Sequence, residues 1–283
     1  EKFPSEEDIL YTNARGLGLV LNNTIINDPE KYHAHLSSLF SLDTFYLAEV
    51  LGTYAHVARN GNLYYWNELL KLIDANILTS QDDSFPGSRD RDYLLYNVAG
   101  LLLVISERPS FIILSQEDIS YLIELNIKLL STNRTLPTTL MAKWEWESAR
   151  LNSTAGKGYE TVKNLNSLWN TWEQNNGLHP LFKEFFEGKL KRTGAQEQEF
   201  SLALGHYFPY LLATDAAWCQ QEKENIFILG DVMHLRLTTA SLLWANEMIY
   251  GNVIKFLHVN ELNSVFLNLY SNEGWEMDRL CRY

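Results

Sequence analysis

Cysteine is almost missing from the chain: its 283 residues contain two, Cys219 and Cys281. That excludes a disulfide-stapled scaffold and a zinc ribbon, although the two could pair with each other in an oxidising compartment. Basic charge is also short. Lys and Arg total 23 against 35 Asp and Glu, a formal net charge of −12, and a surface of that sign repels phosphate backbones and argues against a nucleic-acid partner. Long apolar runs are lacking too. The most apolar one, Tyr93 to Ile105, is interrupted by Asn97 and Gly100. It falls short of the roughly 18–20 residues a bilayer span needs, so it predicts a buried helix and no membrane partner. The first residues, Glu1 to Asp8, are polar, with no initiator Met and no signal-peptide apolar region. The expectation is a soluble chain, cytoplasmic or exported with its leader removed, or a piece of something longer.

What is present is a globular balance of 46% hydrophobic, 13% aromatic and 20% charged residues. At this length about three quarters of the extended-chain surface can be buried, enough for a core without staples. Helical periodicity dominates. Ser5 to Asp8 has the form of a capping box ahead of Ile9, Leu10, Leu17, Val20 and Leu21. Asp43 is placed to cap a helix bearing Leu47, Val50, Leu51 and Tyr54, and the turn Arg59-Asn60-Gly61-Asn62 leads to a second with Trp66, Leu69, Leu70 and Ile73. The two read as an antiparallel hairpin. Further helices are expected from about Asp90 to Ser106, from a capping box at Ser115-Gln116-Glu117-Asp118, from Pro137 through Trp144 to Leu151, and from Tyr159 to Gln174. Loops are expected at Thr79 to Asp92 and Asn152 to Gly158. Longer apolar helices follow around Phe200–Cys219, Ile226–Trp244 and Glu247–Tyr270, the first kinked or broken by Pro209.

No sustained two-residue alternation argues for a sheet, so the predicted fold is all-α: successive antiparallel helical hairpins in a HEAT-like solenoid or a compact multi-helix bundle. The hairpins recur about every 40 residues, the spacing of HEAT-like arrays, without a shared consensus. The chain reads as one helical domain over 1–283, with an alternative sub-boundary that separates a hairpin array, 1–177, from a more apolar bundle, 178–283.

Catalytic signatures are tested in turn. Gly16-Leu17-Gly18 lacks a preceding strand and a third glycine, and Gly156-Lys157-Gly158 lacks the remainder of a phosphate loop. No Gly-x-Ser-x-Gly elbow and no His-Glu-x-x-His occurs, and the two Glu-x-x-His motifs that di-iron bundles use are not both present. No cofactor and no metal site is therefore expected. His33 and His35 would lie about 200° apart on a helix. Asp231 and His234, at i and i+3, share a helix face, a spacing that serves a metal or an acid–base pair and equally a side-chain hydrogen bond that satisfies a half-buried histidine. Cys219 reads as a buried thiol, with His206 and His234 the only bases in this half that could activate it. If the protein is an enzyme, its site is a dispersed set drawn from Asp231, His234, His206, Glu145 and Glu147. Asn-x-Ser/Thr triplets at Asn22, Asn133 and Asn152 say little about secretion in a chain this rich in Asn.

Aromatics are the more informative feature. Trp144 and Trp146 with Glu145, Glu147 and Arg150 have the composition of a peptide- or sugar-binding groove, or of a helix anchor. Trp169 and Trp172 share one helix face, as do Phe182 and Phe185, while Tyr64 and Tyr65 precede Trp66. Most such rings fill gaps between helices. Those surplus to the core suit a concave binding face, for which Trp144, Trp146, Trp169, Trp172, Tyr64 and Tyr65 are the candidates. Together with the acidic charge they predict a non-catalytic scaffold, immunity- or adaptor-like or an accessory module, that engages a basic protein or peptide. The alternative is a hydrolase- or lyase-like enzyme with the dispersed site. Two short stretches, Leu39-Phe40-Ser41-Leu42-Asp43-Thr44 and Tyr159-Glu160-Thr161-Val162-Lys163-Asn164-Leu165-Asn166-Ser167-Leu168-Trp169, are similar to the helical activator module that precedes the peptidase in bacterial collagenases. That resemblance implies a substrate-cradling module of a secreted hydrolase whose zinc site lies outside this chain.

Overall fold

The computed structural model describes residues 6–79, 89–107, 112–132, 153–174, 176–191, 198–228, 231–245 and 251–260, with Leu262. The fold is all-α, and among the described residues there is no strand. No helix among them is long and apolar enough to cross a membrane. The chain divides into two compact units: Glu1–Thr135 with Glu160–Leu165, and Leu136–Tyr159 with Asn166–Tyr283.

The first unit contains α1 (Glu6–Asn27), the short α2 (Pro29–His33) and α3 (Leu36–Leu39), α4 (Thr44–Arg59), α5 (Trp66–Ile73), α6 (Arg89–Ser106) and α7 (Gln116–Ser131). Local signals start and stop these helices as expected. The Asp43 carboxylate accepts the Phe45 N–H at 3.0 Å to cap α4, and Gly61, with φ 95°, supplies the left-handed turn after it. Ser115 and Asp118 form a reciprocal capping box on α7. The main partner of α4 is α6, not the α5 that the hairpin reading paired with it. At their crossing the Asn97 Oδ1 sits 2.7 Å from where a Cβ on Gly52 would be. Leu51, Tyr54, Leu95, Val98 and Leu102 are fully buried there. Glu49 ties in a third helix, accepting hydrogen bonds from Asn22 of α1 at 2.9 Å and from Tyr93 of α6 at 2.8 Å. Beyond α5 the chain widens into one π-helical turn, Asp74–Leu78, whose Asp74 carboxylate takes both bonds of Lys128 on α7, at 2.7 and 2.9 Å.

The second unit holds the ends of α8 (Thr154–Glu173), then α9 (Pro180–Leu190), α10 (Gln198–Thr214), α11 (Ala216–Gln221), α12 (Lys223–Ile226), α13 (Val232–Ala245) and α14 (Gly251–Val259). Rings fill its interior. Tyr159 packs with Phe185, Phe186 and Phe200 at centroid distances of 6.5, 6.3 and 6.2 Å, and Phe208 lies edge-on to Phe227 and Phe256. At the crossing of α10 on α13 backbone meets backbone: a Cβ at Gly205 would run into the Thr238 carbonyl oxygen.

Three expectations about helix ends are corrected. The stretch from Asn152 to Gly158 is not a loop beyond Ser153; the Ser153 hydroxyl accepts the Gly156 N–H at 2.9 Å and α8 begins at Thr154, with Gly156 and Gly158 buried in its first two turns. Pro209 does not break α10. The helix runs through it, because Phe208, Leu211 and Leu212 are buried and hold the turn despite the lost bond to the carbonyl four residues back. The break comes at Asp215, whose carboxylate leaves the helix to cap α11 by accepting the Trp218 N–H at 3.0 Å.

Gly205→Ala forces the α10–α13 backbones apart and is expected to lower stability by about 3 kcal/mol. Gly188→Ala, at a helix-interior position with open space around its Cβ, is expected to raise it by about 0.5–1 kcal/mol. Urea unfolding of the two variants beside wild type checks both signs.

Candidate functional site

Two polar assemblies stand out in the second unit. The first joins Ser201 of α10 to His234 of α13. Ser201 Oγ lies 2.7 Å from His234 Nδ1, and His234 Nε2 lies 3.0 Å from the Ile226 carbonyl oxygen. A carbonyl only accepts, so Nε2 carries the proton, and in the neutral ring Nδ1 accepts from the serine hydroxyl. This is the hydrogen-bonding logic of an activated serine, with a backbone carbonyl in place of the orienting carboxylate. Both side chains are 2% exposed. Burial pushes His234 below the ordinary imidazole range, against the opposing pull of the Ile226 carbonyl and the charge of Asp231. Asp231 is near, but its carboxylate accepts the backbone N–H of His234 at 3.0 Å, as the residue ahead of a helix does. The i, i+3 spacing read from the sequence is thus a cap on α13, not an acid–base pair through the ring.

The second assembly holds the connector between α8 and α9. Asn166 and Asn170 of α8 both donate to the Gly177 carbonyl, at 3.1 and 3.0 Å, and Asn166 Oδ1 accepts the His179 N–H at 2.8 Å. Asp215 accepts the Leu178 N–H at 3.2 Å and pairs with Lys183 at 2.7 Å. Burial raises the Asp215 carboxyl, but the bonds from Lys183, Trp218 and Leu178 outweigh it and hold the group below the usual carboxylate range. The imidazole of His179 caps α9, its Nδ1 accepting the Leu181 N–H at 3.2 Å, with Trp169 edge-on at 4.9 Å.

In the first unit, His33 closes α2 and stacks on Tyr65 at 4.4 Å and 5°, while its Nε2 meets Glu68 at 2.7 Å. The Tyr65 hydroxyl donates to the Pro29 carbonyl at 2.6 Å. His35 is exposed at the start of α3.

The other sequence candidates fall as follows. His206 is half-buried on α10, edge-on to Tyr207 at 4.5 Å. Trp169 and Tyr65 are engaged in packing, whereas Tyr64 is 69% and Trp172 52% exposed. Trp144, Glu145, Trp146, Glu147 and Arg150 lie outside the described residues, as do Cys281, Asn133 and Asn152. Cys219 is fully buried, and that burial, with Asp215 nearby, pushes its thiol far above the reactive range. The Asn22 amide donates to Glu49. Among the described residues no group of three His, Cys, Asp or Glu side chains is disposed to hold a metal ion. Sequence reasoning missed Ser201, Asp215 and His179. The small residues Ser201 and Gly205 at i and i+4 could have pointed to the first. Pro180 at the first helical position made His179 the capping residue.

Comparison with protein-family models, with curated proteins and with solved structures finds no match to this chain.

Ser201→Ala leaves the buried Nδ1 of His234 without a donor and is expected to cost about 1–3 kcal/mol. Urea unfolding at pH 7.5 measures it. A cost near zero would mean that the pair contributes nothing to stability.

Proposed function

We propose that the chain is a non-catalytic α-helical scaffold that binds another protein or peptide, basic in character, through aromatic side chains exposed on an acidic surface. The observation that carries this reading is a division of labour. Asp231 and His234, singled out for chemistry, are committed to a helix cap and to hydrogen bonds inside the core. Each unit, meanwhile, leaves a large ring in solvent: Tyr64 in the first and Trp172 in the second. Exposed Tyr and Trp are the side chains that most often anchor protein interfaces, because they offer large contact area with little rotamer entropy to lose. The net charge of −12 steers a basic partner toward them. Immunity proteins, adaptors and the substrate-cradling module of a secreted hydrolase are all compatible with such a surface.

A second reading is favoured by one observation, the 2.7 Å contact of Ser201 with His234. An enzyme that used this serine as nucleophile would have to open the α10–α13 core to admit substrate, since both side chains are sealed from solvent.

Binding of a fluorescein-labelled Lys/Arg-rich peptide library, read by anisotropy, tests the scaffold. Tyr64→Ala or Trp172→Ala is expected to weaken the selected peptide about tenfold or more. Raising the salt from about 50 to about 300 mM should weaken it further. Labelling of Ser201 by a fluorophosphonate probe, with hydrolysis of an ester substrate lost in Ser201→Ala and unaffected by the aromatic changes, would put the enzyme in its place.

A further inference from the structure

His179 occupies a position that asparagine, aspartate, serine or threonine usually fills. It is the N-cap of α9, and the cap is made by an imidazole nitrogen. A backbone N–H can only donate, so Nδ1 must present its lone pair to Leu181, and the ring proton of the neutral form sits on Nε2. A second proton has one place to go, the capping nitrogen itself. Protonation therefore removes the acceptor and sets a cation at the positive end of the α9 dipole. No other common cap fails near neutral pH, because hydroxyls and amides do not titrate there and a carboxylate keeps its charge until well below it.

The surroundings make this failure matter. The connector from Asn176 to His179 is held by side chains of neighbouring helices: Asn166 and Asn170 on the Gly177 carbonyl, Asn166 on the His179 N–H, and Asp215 on the Leu178 N–H. The imidazole stands between Trp169 at 4.9 Å and Phe182 at 6.0 Å, both edge-on and neither able to accept a proton. Titratable groups on the neighbouring elements include Glu173 at the end of α8, Lys183, Glu184 and Glu187 on α9, His206 and Tyr210 on α10, and Asp215 ahead of α11. Of these, Asp215 is committed to Lys183 and two backbone N–H groups, Glu187 accepts the Trp218 indole N–H, and the Tyr210 hydroxyl bonds Asn166. Asp215, Glu187 and Tyr210 are thus already engaged by other donors.

We propose that His179 is a proton-operated latch: acidification toward pH 5 ejects its imidazole from the α9 cap and frees the α8–α9 connector, residues 176–179, together with the first turn of α9. The device is independent of whether the chain is a scaffold or an enzyme. The sign follows from the direction of the shift. Burial holds His179 below the ordinary imidazole value of 6.5. The unfolded or released state then takes up the proton first, and the latch's contribution is complete above that value and lost as the pH falls through the folded one. His234 is also kept neutral by burial, so the test must separate the two.

Hydrogen–deuterium exchange of the full chain at pH 7.5 and pH 5.0, corrected for intrinsic rates, reads the connector directly. Protection of the Leu178 and Leu181 amides should fall roughly five- to tenfold at pH 5.0, the scale of one lost cap. The His179 ring resonance should titrate in the same interval. In H179N, which caps without titrating, protection should not change with pH, and H179D serves equally if H179N does not fold. Wild-type protection at Leu181 that is the same at both pH values overturns the latch. So does an equal loss in H179N, which would move the effect to His234.

Discussion

The second unit is organised by one steric fact: the backbones of α10 and α13 touch at Gly205 and Thr238. A side chain of any size at Gly205 would occupy the Thr238 carbonyl. One turn back along each helix from that contact stand Ser201 and His234, and their hydrogen bond at 2.7 Å exists because the helix axes are held so close. Thr238, Thr239 and Ser241 are buried on the same stretch of α13, polar residues tolerated where small size counts for more than hydrophobicity. The Ser201–His234 hydrogen bond thus depends on the close packing of α10 against α13.

Where a signal was local, the sequence was legible. Asp43 before α4, Gly61 after it and the Ser115–Asp118 capping box are each decided within four residues, and each stands where periodicity and turn chemistry put it. The all-α character was legible for the same reason. Signals that depend on a distant partner were not. Asp231 and His234 were rightly seen as neighbours, yet the carboxylate took the backbone N–H, because it stands just outside the helix and not within it. Ser201 was invisible: a serine in the first turn of a helix gains meaning here only from a ring 33 positions away. Pro209 and Asp215 exchanged roles because burial overrides proline's local preference, while a carboxylate with three donors to satisfy will end a helix that periodicity would continue. Glycines misled as well. Gly156 and Gly158 suggested a loop, yet both are buried in the first two turns of α8.

The two units handle charge differently. In the first, Glu49 and Asp74 act as bridges, each carboxylate receiving donors from other elements, and the His33–Glu68 pair stays at the surface. In the second, Asp215 is drawn inward and surrounded by donors, and imidazoles serve as acceptors within or beside the core. A carboxylate bridge is indifferent to moderate acid. An imidazole acceptor is not. Both halves nevertheless hold an imidazole acceptor, for His56 Nε2 in the first takes the Asn60 amide N–H at 2.9 Å.

α8 contributes Glu160–Leu165 to the first unit, while its beginning and end belong to the second. The boundary between the units is therefore discontinuous in the chain. During synthesis the first unit is incomplete until Leu165 has emerged, by which time residues 154–159, committed to the second unit, are already out. Neither unit can be released as one uninterrupted fragment by a single cut. Most of the second unit, residues 166–283, is made only after Leu165, the last residue of the first.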